Sequence, residues 1–215
     1  MPAEPRHVDQ AAYQVRMDWG VAGLARLAPA EVVVVVDVLR FSSTVIAAIE
    51  AGEPVGPDAE AWATSINGAG VARAAAATGA VVLAGGLRNA RAVADAVMRL
   101  QEGRGARTGV AVIAAGELVS TDPGAPLRFA VEDQLGAGAV VDALAAIGID
   151  HCSPEAVAAC ESFRALRGAV RHLLTASGSG RELVDRDLRD QVVAAAAVDA
   201  ASVAPVLRDG AWVAA

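Results

Sequence analysis

The chain's 215 residues allow one substantial core without requiring a second, so a single domain over 1–215 is expected; 54% apolar residues with 3% aromatics leave Val, Ala and Leu to fill it. A net charge of −7 with scattered arginines offers no basic stripe for nucleic acid. All 18 basic residues are arginine, which excludes Schiff-base lysine chemistry and the lysine-dependent phosphate loop and leaves arginine to bind anions.

Taken in chain order, a polar start precedes an edge strand expected at 13–17 and a helix at 19–27 that ends before Pro29. Residues 32–39 are a continuous β-branched run of the kind buried on both faces of a parallel sheet, and 42–51 read as a helix with Ser or Thr at its cap. The stretch 52–67, with Pro54 and Pro57, reads as loop and one short helix before an alanine-rich helix at 68–78. Strands at 80–84 and 109–114 flank a helix at 89–101, the alternation that builds right-handed crossovers and hence a parallel sheet. Helices follow at 131–147, 154–176 and 187–200, then a terminal hairpin of 203–207 and 211–213 parted by Asp209-Gly210. The fold class is α/β. No apolar run approaches the ~20 residues a bilayer requires, so no membrane segment is expected. Cys152 and Cys160 stand in no CxxC spacing and follow no secretory leader, so they read as reduced thiols of a cytoplasmic protein.

Ligands of an open parallel sheet gather beyond the carboxyl ends of its strands. One such end carries Asp37, Arg40, Ser42, Ser43 and Thr44, a second Gly85, Gly86 and Asn89, a third Gly116 and Glu117. Asp37 follows five valines, where a carboxylate needs a metal, Arg40 or several donors to offset burial; capping the turn is the plainer role. Ser42, Ser43 and Thr44 stand where a helix begins, suited to holding an anion at its positive end or simply to N-capping. Gly85-Gly86 and Asn89 suit either a close ligand or a turn and cap. Glu132 and Asp133 open a later helix, whose dipole favours them even without a ligand. If two or three of Asp37, Glu117, Glu132 and Asp133 converge, they form an oxygen-rich site fit for Mg²⁺ rather than a transition metal. Gly178-Ser179-Gly180-Arg181 reads as a glycine-led turn delivering Arg181 to an anion, or as a helix boundary. His7, His151 and His172 lie in no metal or triad spacing, and the adjacent pair His151-Cys152 does not face one partner.

Met17-Asp18-Trp19-Gly20, the run from Val35 to Thr44, and Asn67-Gly68 together resemble the 2-phosphosulpholactate phosphatase family. So, in the same order, do Leu87-Arg88-Asn89, Ala114-Ala115-Gly116-Glu117, Val131-Glu132-Asp133-Gln134 and Leu207-Arg208-Asp209-Gly210. The resemblance implies an α/β/α sandwich and Mg²⁺-dependent hydrolysis of 2-phospho-3-sulpholactate to 3-sulpholactate and phosphate, a step of coenzyme M biosynthesis in methanogens. Strand-end placement and chemistry suggest catalytic roles for Asp37, Arg40 and Ser43 in such a reaction. Substrate contacts are expected from Ser42, Thr44, Asn67, Gly68, Asn89 and Arg181, and metal contacts from Asp37 with Glu117 or the Glu132 and Asp133 pair. The expected partner is a small phosphorylated acid, and a homo-oligomer is compatible with this reading. Residues 52–66 are shorter than the family's corresponding segment, and Ala69 stands where a hydroxyl residue is common. A non-catalytic, anion-binding relative with a shortened active-site loop is therefore the alternative.

Overall fold

The computed structural model describes residues 7–120 and 125–215; the first six residues of the polar start lie outside it. Its elements in chain order are β1 (Val15–Trp19), α1 (Gly20–Arg26), β2 (Val32–Val36), α2 (Phe41–Glu50), α3 (Glu60–Thr64), α4 (Gly68–Ala76), β3 (Val81–Gly85), α5 (Ala90–Arg104) and β4 (Val110–Ala114). There follow β5 (Glu117–Leu118), β6 (Leu127–Arg128), α6 (Val131–Ala146), α7 (Pro154–Leu166), α8 (Val170–Ala176), α9 (Gly178–Asp185), α10 (Arg189–Ala195), β7 (Pro205–Arg208) and β8 (Ala211–Ala214).

Six strands form one sheet in the order β1-β4-β2-β3-β7-β8. The first four are parallel, and the β7–β8 hairpin closes the far edge antiparallel to β3. Side chains alternate across a strand, so the valines of β2 divide between two cores. Val32, Val34 and Val36 face a layer that includes Val93, Leu135, Val140 and Phe163, while Val33 and Val35 face Val45, Val71, Trp62 and Trp212. Helices cover both faces, α1, α2 and α4 on one and α5, α6 and α7 on the other, giving the three-layer α/β/α sandwich. The sheet's polar edge at β1 matches the expected edge strand, displaced by two residues.

Several expected boundaries move, each for a local reason. The strand expected over 32–39 stops at Val36, because Asp37 turns the chain: its carbonyl accepts from Ser42 N–H at 2.9 Å and its own N–H donates to Ser42 Oγ at 3.0 Å. The helix expected over 154–176 is two helices separated by a single 3-10 turn, Arg167–Ala169, around Gly168, whose missing side chain weakens helix continuity. Its start is as read: Ser153 caps it, accepting from Ala156 N–H at 3.2 Å, with Pro154 in the first turn. The helix expected over 187–200 is confined to α10, since Asp187 and Asp199 take positive φ of 59° and 51°. Asp199 instead caps α5, accepting from Arg91 N–H at 3.0 Å. The two-residue strands β5 and β6 have no counterpart in the sequence reading.

Both cysteines are free thiols, and burial pushes Cys160 up to about 11. Among the described residues no helix is long and apolar enough to cross a membrane.

Candidate active site

A cleft of about 380 Å³ opens beyond the carboxyl ends of β2 and β4, bounded by α3, the α6 N-terminus and α9. Its floor is built by Asp37 and Asp133, each engaged through both carboxylate oxygens. Asp37 Oδ1 accepts from Phe41 N–H at 3.1 Å and Oδ2 from Gly68 N–H at 3.0 Å, so two helix N-termini, those of α2 and α4, point at one carboxylate. Asp133 Oδ1 accepts from Val38 N–H at 2.8 Å and Oδ2 from Gly116 N–H at 2.9 Å, pinning the β2 and β4 loops to α6.

Neither aspartate has an arginine partner among the described residues, and both are buried, as is Glu132 beside them. Burial lifts Asp37 to about 6, offset in part by its two backbone donors and reinforced by the neighbouring Glu132 carboxylate. Asp133 is raised well above 3.8, by burial first and then by the like charges of Asp37 and Glu132, against the pull of its own two amides. Asp37 and Asp133 thus share one buried space beside Glu132, where burial and like charge both favour their neutral forms.

Glu117 joins them from the start of β5. One oxygen is held by Arg128 and the other accepts from Ser179 Oγ at 2.9 Å; the same hydroxyl lies 2.5 Å from Glu132 Oε1. Arg40 also lines the cleft, after a cis peptide bond from Leu39, and its Nη1 donates to Gln191 Oε1 at 3.1 Å rather than to Asp37. Asp37 is therefore compensated by backbone amides and not by Arg40. Those amides also occupy the α2 N-terminus, so the place read as an anion seat is filled by Asp37's own carboxylate.

Of the candidate residues, the cleft gathers Asp37, Arg40, Thr44, Asn67, Glu117, Glu132 and Asp133. Gly68 stands beneath it, where a Cβ would run into the Asp37 carboxylate, and Asn67 Nδ2 donates to Gly116 O at 2.8 Å. Other candidates face elsewhere. Ser42 Oγ is buried and bonds Val35 O at 2.9 Å, and Ser43 Oγ bonds Val38 O at 2.8 Å, so both hydroxyls serve the turn. Asn89 is wholly buried, accepting from Gly86 N–H at 3.1 Å and donating to Ala84 O and Val203 O; Gly85 and Gly86 do not line the cleft, Gly85 packing against Val34, Val93 and Val140 and Gly86 against Val38. Arg181 does not line the cleft, whereas Arg186, at the other end of α9, does.

The sequence reading named Ser179 only as part of the turn leading to Arg181, and gave no role to Glu60 or Glu182. Ser179 had a signal in its two flanking glycines; the others are surface acids with none. The short segment before Asn67 still forms a wall, since Glu60, Thr64, Ser65 and Ile66 line the cleft and Trp62 is anchored edge-on to Phe41 at 5.3 Å.

A parallel-sheet α/β protein with buried carboxylates and an arginine gathered at its strand ends has the layout of the ligand-binding doubly wound class. Within that class, the family model for 2-phosphosulpholactate phosphatase matches residues 56–210, and the chain belongs to this family. The family's name describes a phosphoric monoester hydrolase.

A hard divalent cation suits the donor chemistry here: three buried carboxylates with no cation among the described residues, plus Glu117. They do not stand as a finished cage, for no group of three such side chains is disposed to hold a metal ion among the described residues. That arrangement is compatible with Mg²⁺, which keeps several waters and is commonly held by one or two carboxylates together with substrate phosphate.

Proposed function

We propose that the chain is a Mg²⁺-dependent phosphatase that hydrolyses 2-phospho-3-sulpholactate, or a closely similar small phosphorylated acid, releasing phosphate and the free hydroxy acid. The observation that carries this reading is the charge of the cleft. Six carboxylates (Asp37, Glu60, Glu117, Glu132, Asp133 and Glu182) line it against two arginines, Arg40 and Arg186. A phosphate ester entering such a space meets repulsion unless a cation is bound there, so an acid-rich floor and an anionic substrate are reconciled by the same ion.

Glu132 and Glu117, with the floor aspartates behind them, would be the residues to hold Mg²⁺, and the ion would supply charge neutralisation for the phosphoryl oxygens. The chain's own residues do the rest. Arg40, steadied by Gln191, offers its guanidinium to phosphoryl oxygens from the rim. Arg186 offers a second cation to the carboxylate or sulphonate of the acid. The backbone amides of Phe41, Gly68, Val38 and Gly116 hold the two aspartates in fixed orientation, so the floor does not reorganise as charge develops. Asp37, on the floor of the cleft, is the carboxylate suited to accept a proton from an attacking water.

Incubation of the purified chain with 2-phospho-3-sulpholactate and Mg²⁺ should release inorganic phosphate, and a panel of phosphorylated hydroxy acids ranks the substrates. Calorimetric binding of sulpholactate without any turnover would favour the non-catalytic alternative. A location in the cytoplasm and a role in coenzyme M biosynthesis belong to the same proposal.

A further inference from the structure

The Gly178-Ser179-Gly180 sequence has no role in the scheme above, yet its geometry is tightly prescribed. Ser177 caps α9: its Oγ accepts from Gly180 N–H at 3.1 Å and donates to Leu174 O at 2.9 Å, which ties the first turn to the end of α8. A Cβ on Gly180 would overlap the Leu174 carbonyl oxygen, and one on Gly178 would stand 2.5 Å from Arg128 Nη2. Packing thus demands glycine at 180, while at 178 the Arg128 side chain could move aside, and the capped first turn delivers Ser179 to one place.

That place is between Glu117 and Glu132. Ser179 Oγ lies 2.9 Å from Glu117 Oε1 and 2.5 Å from Glu132 Oε1. A hydroxyl carries one hydrogen, so it can donate to only one of the two carboxylates at a time. Glu117 is also gripped from its other oxygen by Arg128. Glu132, only 3% exposed, has Ser179 as its one hydrogen-bond partner among the described residues. Without that hydroxyl nothing described would fix the direction of the Glu132 carboxylate.

We propose that Ser179 is a positioning residue that fixes Glu132 beside Glu117, which Arg128 holds from its other oxygen, so that the two form a carboxylate edge for the divalent cation. The inference rests on the proposed function, since it concerns the cation that function requires. Groups that orient metal ligands through hydrogen bonds typically govern metal affinity by about 10–100-fold. Ser179 contributes no ligand of its own in this scheme; its effect is exerted through the two glutamates.

Titration calorimetry with Mg²⁺ on the chelator-treated full chain tests it. Ser179→Ala should bind Mg²⁺ on the order of tenfold more weakly than the wild type, and its melting temperature in EDTA should fall by a few degrees, because the buried Glu132 carboxylate loses its one described partner. Ser179→Thr, which restores a hydroxyl, should recover most of the affinity. An unchanged Kd in Ser179→Ala overturns the inference, as does a loss that Ser179→Thr fails to recover, and both outcomes leave the proposed function standing. A wild-type chain that binds no Mg²⁺ overturns the inference and the proposed metal dependence together.

Discussion

At Asp133, both carboxylate oxygens accept backbone hydrogen bonds from separate strand-end loops, Val38 N–H and Gly116 N–H. An amide in its place turns an N–H₂ toward one of those donors. Asp133→Asn should therefore lose about 1–3 kcal/mol in urea unfolding, the cost of an unsatisfied buried group, besides losing phosphate release. The arginines separate cleanly at this scale. Arg186 lines the cleft and Arg181 does not. Arg186→Gln should raise KM for a polyanionic ester several-fold with kcat little changed, and Arg181→Gln should leave both within about twofold, since surface changes away from a site are usually small. Steady-state kinetics on the two variants checks the assignment; equal effects would contradict it. The acids were legible in the sequence because they follow strands or open a helix. What compensates them was not, because backbone amides carry no residue signature. A metal ion, Arg40 or several donors were all open as partners for Asp37, and the actual donors are main-chain groups of Phe41 and Gly68.

Elements place the site through their ends. The close approach of α4 to β2 depends on Gly68, where a Cβ would collide with the Asp37 carboxylate and come within 2.8 Å of Phe41 Cβ. Gly68→Ala must displace either the aspartate or the α4 N-terminus. We expect a destabilisation of roughly 1–3 kcal/mol and at least a tenfold loss of activity, read by thermal melts and phosphate release. Gly70→Ala, on the same helix with only Val21 Cγ2 at 4.0 Å, is the matched control and should be mild. Long periodic elements were readable from the sequence: the five-valine strand, the helix of Val131–Ala146 and the closing hairpin all lie where the pattern put them. Breaks decided by tertiary contacts were not. Val38 and Leu39 continue the apolar run of β2, yet Asp37 has already bent the chain around Ser42. Strands as short as β5 and β6 are too brief for any periodicity, although they bring Glu117 to the cleft and pair it with Arg128.

Over the whole molecule, the buried acids link stability to pH. Asp37 is lifted to about 6 in the fold against an ordinary 3.8, and Asp133 is raised well above its ordinary range. The folded chain thus holds these protons more tightly than the unfolded chain. The resulting stability is present at low pH and is lost as pH rises through about 4 to 6 for Asp37, with Asp133 acting in the same direction. Metal-free protein should melt a few degrees lower at about pH 7.5 than at about pH 5, roughly 2–4 °C per kcal/mol for a chain of this size. Mg²⁺ should restore the difference, and Asp133→Asn should shrink it. An upward trend in melting temperature over that range would show that the floor acids do not share one buried space.

The account's central claim is that the acid-floored cleft around Asp37 hydrolyses a phosphate ester with the help of a divalent cation. The most direct measurement follows phosphate release from 2-phospho-3-sulpholactate by EDTA-treated protein as Mg²⁺ is added back, in the wild type and in Asp37→Asn. Activity that is absent in EDTA, returns with Mg²⁺ and is lost in Asp37→Asn at any Mg²⁺ concentration is the predicted result. Undiminished turnover in EDTA, or by Asp37→Asn, would contradict the claim.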